Sequence, residues 1–130
     1  MPIAKPEVQP ISSVRERLNK VPAFTSELVT VPEWEDVVIE VRSMTVAEKV
    51  KLVEAATNAD GDIILAAIQP QLVIATAFDP ATGDKVFSDT DADFISAQNA
   101  RPVERLANAG SRLSGITDVD EAIAEGKDGS

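Results

Sequence analysis

Five aspartates between Asp79 and Phe94, at positions 79, 84, 89, 91 and 93, are the residues best suited to holding a metal ion. Only Lys85 offsets them, so the stretch carries a net charge of −4. Asp89, Asp91 and Asp93 alternate as at the opening of a calcium-binding loop. Such a loop also needs glycine at its sixth position and a bidentate glutamate at its twelfth. Counted from Asp89, those places hold Phe94 and Ala100, and the motif fails. Carboxylates at a helix N-terminus are favoured by the helix dipole, which accounts for the cluster without a ligand. A small metal-dependent enzyme using the Asp79–Asp93 carboxylates stands as the enzymatic alternative.

A second group is cationic. Arg101, Arg105 and Arg112 follow one another at steps of four and seven and so share one face of a helix. That face reads either as a solvated strip pairing with Glu104 or the aspartates, or as a docking strip for an acidic helix. Trp34, the only tryptophan, is either a packing anchor or a contact for a partner.

Little else could do chemistry. The chain has no histidine and no cysteine, which removes imidazole acid–base catalysis, thiol nucleophiles, zinc thiolates and disulfides. Its glycines show neither dinucleotide-binding nor phosphate-loop spacing. No catalytic constellation is present, no cofactor is expected, and the chain reads as a binding protein rather than an enzyme. Twelve basic against twenty-two acidic residues give a net charge of −10, which argues against nucleic acid and anionic membranes as partners. The opening residues lack the apolar core of a secretory signal, and the apolar run from Ile63 to Phe78 is too short to span a membrane. A soluble cytoplasmic protein is the expectation.

The elements that must position these residues are those of an α+β domain, mainly a helical bundle with a small N-terminal β-hairpin. Residues 1–20 read as a proline-rich arm and a short helix, 21–125 as one compact domain, and 126–130 as a disordered tail. Period-two alternation from Phe24 to Val41, broken by Pro32–Asp36, predicts two strands of a hairpin, with Leu28, Val31, Val37, Ile39 and Val41 as the apolar set. Thr45-Val46-Ala47-Glu48 is a capping box opening a helix whose apolar stripe is Val46, Val50 and Val53. Asp62 is placed to cap a central buried helix from Ile63, which Pro70 should kink or end. Leu72–Phe78 is compatible with helix or strand by periodicity, with helix the preferred reading. Ser88 or Thr90 starts a short helix with Phe94 and Ile95, and Pro102 opens the arginine-bearing helix that Gly115 ends. A last short helix from Thr117 presents Val119 and Ile123, two further candidates for partner contact.

In its order of pieces the chain resembles the tail assembly chaperones of long-tailed bacteriophages. The pieces are Val31-Pro32-Glu33-Trp34, a strand ending Val41-Arg42-Ser43-Met44, and Thr45-Val46-Ala47-Glu48 opening a helix. After an apolar helix come the turn Phe78–Asp84, Val86-Phe87, the acidic start Ser88–Asp93, and a helix closing in Arg112-Leu113-Ser114-Gly115-Ile116. The resemblance covers residues 29–124 and leaves out the N-terminal arm. It implies a chaperone that binds and solubilises the tape measure protein, helps recruit tail tube protein, acts in the cytoplasm of the infected bacterium, and is absent from the mature virion. It also implies a longer form made by a one-nucleotide backward frameshift, for which Glu125-Gly126-Lys127 is compatible with a slippery codon run. Self-association is a further expectation, since a holdase exposes apolar surface. A structural head–tail connector or minor tail protein is the alternative within binding proteins.

Overall fold

The computed structural model describes residues 11–116; the proline-rich arm and the expected helix and tail after Ile116 lie outside them. The order is α1 (Ile11–Leu18), β1 (Ser26–Val31), a single 3-10 turn at Pro32–Trp34, β2 (Val37–Arg42), α2 (Val46–Ala55), α3 (Leu65–Thr76), β3 (Ala77–Phe78), α4 (Ala92–Ser96) and α5 (Ala100–Leu113). The fold is α+β, as the sequence predicts.

The three strands form an antiparallel sheet in the order β1-β2-β3. Val29 pairs with Ile39 and Val31 with Val37, and the alternation turns Val29, Val31, Ile39 and Val41 inward onto α3 and α5. The parity differs from the expected one at one place: Leu28 points outward, and Val29 takes the core position. Glu35 and Asp36 close the hairpin with φ of 56° and 59°, the left-handed region that acidic and amide residues tolerate better than bulky ones.

The core is filled by the inner sheet face, by Ile68, Leu72, Val73 and Ile74 of α3, by Ile95 of α4, and by Val103, Leu106, Ala107 and Ala109 of α5. α3 and α5 approach so closely that a Cβ on Gly110 would lie 2.8 Å from Thr76 Oγ1. The Thr76 hydroxyl is itself occupied, donating to the Leu72 carbonyl at 2.6 Å.

Four local expectations narrow or change in the fold. Of the two outcomes expected at Pro70, a kink or an end, the end does not occur: α3 runs on to Thr76. The carbonyl that proline deprives of a donor belongs to Ala66, on the exposed first turn, where water can satisfy it. Asp62 does not cap α3. Asn58 Oδ1 gathers the backbone N–H groups of Asp60 and Asp62, and Ile64 takes the uncapped N-terminal position. The run 72–78 is helix only to Thr76, because Ala77 and Phe78 pair with Val41 and Glu40. Finally, the valine stripe of α2 is not its buried side: Leu52 and Ala56 face the core, while Val46, Val50 and Val53 are 81%, 52% and 48% exposed.

Candidate protein-binding site

The arginine face of α5 serves the protein's own hairpin. Asn99 caps α5 by accepting from the Arg101 N–H at 3.1 Å. Arg105 then donates both terminal nitrogens to Glu33, at 2.6 and 2.9 Å, and Arg112 does the same to Glu27 of β1, at 2.9 and 3.1 Å. The expected partners, Glu104 and the aspartate cluster, are not the ones found. Planar two-point pairing of this kind fixes orientation as well as charge. The hydrogen bonds from Arg105 hold the Glu33 carboxyl at about 2, and the pairing raises Arg105 in turn. Glu27 is lowered, chiefly by its hydrogen bonds from Arg112. Arg101 adds its charge near Glu33 but makes no ion pair among the described residues.

Through Glu33, its chain neighbour, Trp34 lies near the Arg105 end of this face, whereas Arg112 pairs with β1 at the far end of the helix. The indole is half-buried against the core and meets Phe87 edge-to-face, with centroids 6.4 Å apart. Val119 and Ile123 lie outside the described residues.

The aspartate cluster is spread along its loop. Asp89 accepts from Lys51 at 3.0 Å, which lowers its carboxyl, and Lys85 stands 3.9 Å away. Asp91 accepts from the Ser88 N–H, and Asp79 from the Ala81 N–H. Among the described residues no group of three or more acidic side chains is placed to hold a metal. A cleft of about 620 Å³ is lined by Leu65, Gln69, Ile95, Gln98, Val103 and Asn108 among others, with no ionisable side chain among the described residues of its wall. Amides there can orient a ligand but supply neither acid nor base. Among the described residues no helix is long and apolar enough to cross a membrane.

The surface that sequence reasoning missed is the outer face of the sheet. α3 and α5 cover the inner face only, and Leu28 and Val38 on the other side are 66% and 39% exposed. Between Phe24 and Phe78 the guanidinium of Arg42 is sandwiched, 4.3 and 4.1 Å from the two ring centroids, and it also pairs with Glu40 at 2.9 Å. β1 is an edge strand, so its outer backbone groups are not paired within the sheet. Period-two alternation carries the signal for this face, since Leu28 and Val38 sit at polar-face positions of otherwise well-patterned strands. The face combines exposed apolar side chains with the stacked Arg42 and its partner Glu40, a surface suited to an apolar partner.

The family model described as phage tail assembly chaperone matches residues 15–125. A solved structure of the bacteriophage HK97 tail assembly chaperone is similar at 22% identity, with a TM-score of 0.58. The match covers 83% of this chain and 100% of that one. At that identity the likeness speaks to the fold. No curated protein sequence matches.

Proposed function

This chain belongs to the phage tail assembly chaperone family, and from that premise we propose that it binds the tape measure protein, keeps it soluble, and helps recruit tail tube subunits around it. The observation that carries the reading is the uncovered sheet face with Leu28, Val38 and the Phe24–Arg42–Phe78 stack, on a protein whose charge of −10 keeps it soluble. A holdase has to combine these opposites: apolar surface to cover a partner's, and enough like charge that the covered partner stays dispersed. Contacts of this size are weak singly and gain strength through repetition along a long partner. On this reading the protein works in the cytoplasm of the infected host, alongside a frameshifted longer form of itself, and is left out of the finished virion.

Co-expression with the tape measure protein of the same genome tests the proposal. The tape measure should move to the soluble fraction and co-elute with this chain on a sizing column. If it precipitates with both the short and the frameshifted form, the holdase reading fails. Mass spectrometry of purified virions separates this reading from a structural tail component, which would remain in the particle.

A further inference from the structure

α5 ends in a way that aims the chain at an apolar groove. Gly115 has a φ of 80°, its N–H donates to the Arg112 carbonyl, and the Ile116 N–H reaches back to the Ser111 carbonyl at 2.7 Å. This is the Schellman arrangement, which reverses the chain across the helix end and drops the next apolar residue against the last turn. Ile116 accordingly lines a shallow apolar groove, with only about 30 Å³ of enclosed space, together with Leu52, Val53 and Ala56 of α2, Ile63, Ile68 and Leu72. Ser111 also contributes to its wall; the residue is 1% exposed, and its hydroxyl has no hydrogen-bond partner among the described residues. From Val53 the exposed stripe continues through Val50 to Val46, so the groove opens onto bare apolar helix surface.

Fourteen residues follow Ile116. Val119, Ala122 and Ile123 fall at steps of three and one, the spacing of an apolar helix face. Val119 is three residues past the groove wall, at most about 10 Å of extended chain. Asp118, Asp120, Glu121 and Glu125 make the segment acidic. On the groove's flank Lys49, one turn before Val53, is half-buried and without an ion pair among the described residues. Length, direction, apolar spacing and charge agree on one occupant. We propose that residues 117–125 of this same chain dock in the groove between α2 and α5, seating Val119 and Ile123 against Val53 and its neighbours. The inference is independent of tape measure binding, which is assigned to the opposite side of the sheet.

The absence of native cysteine makes the test direct. In the full chain, Val53→Cys is combined with Val119→Cys or with Ile123→Cys and oxidised at low protein concentration. Leu28→Cys with Ile123→Cys, across the sheet from the groove, is the control. At least one Val53 pair should close an intramolecular disulfide in several-fold higher yield than the control. Only intermolecular disulfides would assign the groove to a second copy and overturn the proposal, as would a yield no greater than the control's. Truncation after Ile116 gives an independent readout. It should raise binding of an apolar dye several-fold and speed amide exchange over residues 46–56; unchanged dye binding and exchange would also overturn it.

Discussion

Gly110→Ala is the sharpest perturbation of the helix pair on which the sheet rests. In an open helix the change would stabilise by about 0.5–1 kcal/mol, because alanine loses less backbone freedom on folding. Here the added Cβ would meet Thr76 Oγ1 at 2.8 Å, Cγ2 at 3.1 Å and Cβ at 3.2 Å. Comfortable carbon contacts lie near about 3.5–4.0 Å, so α5 must move outward or Thr76 must turn. Overpacking of this kind costs about 1–3 kcal/mol. Turning Thr76 would also break its 2.6 Å hydrogen bond to Leu72 and strand a fully buried hydroxyl. The steric cost exceeds the propensity gain, and a net loss of about 1–2 kcal/mol follows, or roughly 4–8 °C in Tm for a domain of this size. Thr76→Ala removes two of the three clashing atoms, so Gly110→Ala in that background should be close to neutral. Urea denaturation of the four proteins in the cycle measures the coupling. If Gly110→Ala stabilises the protein, or costs the same with and without the Thr76 side chain, the close approach of α3 and α5 is wrong.

Glu33 gives a pH signature. Its carboxyl lies at about 2 against an ordinary 4.5, so the folded state binds the proton less tightly than the unfolded chain. Its contribution is complete above pH 4.5 and is lost as pH falls toward about 2. Glu33→Gln should flatten the fall of Tm across that window, and parallel curves for the two proteins would refute the pairing. Thr45→Ala removes a cap whose two halves are both formed, at 3.2 Å each, and should cost about 1 kcal/mol by denaturant titration, while the exposed neighbour Ala47→Ser should cost less than half of that. Leu28→Lys with Val38→Lys, both on the uncovered sheet face, should leave Tm within a few degrees while lowering the soluble fraction of co-expressed tape measure protein. An unchanged soluble fraction would remove that face as the partner site.

Several features were legible in the sequence because they are local. The capping box needs only residues Thr45 to Glu48, and both of its hydrogen bonds form. The hairpin needs only period-two alternation and a turn, and β1 and β2 stand where it placed them. The order of such pieces along the chain carried the family resemblance as well. What the sequence could not determine depends on residues far apart. Ala77 and Phe78 become a strand only because β2 offers its free edge. Arg105 and Arg112 find Glu33 and Glu27 across 72 and 85 residues of chain, while nearer carboxylates go unused. The α2 valines make a regular helical stripe, yet periodicity states only that a helix has two sides. Where Leu52 and Ala56 meet α3 decided which side is buried. Local pattern sets the elements and their faces, and tertiary packing decides which face is covered, because burial is a property of neighbours that no short stretch of sequence contains.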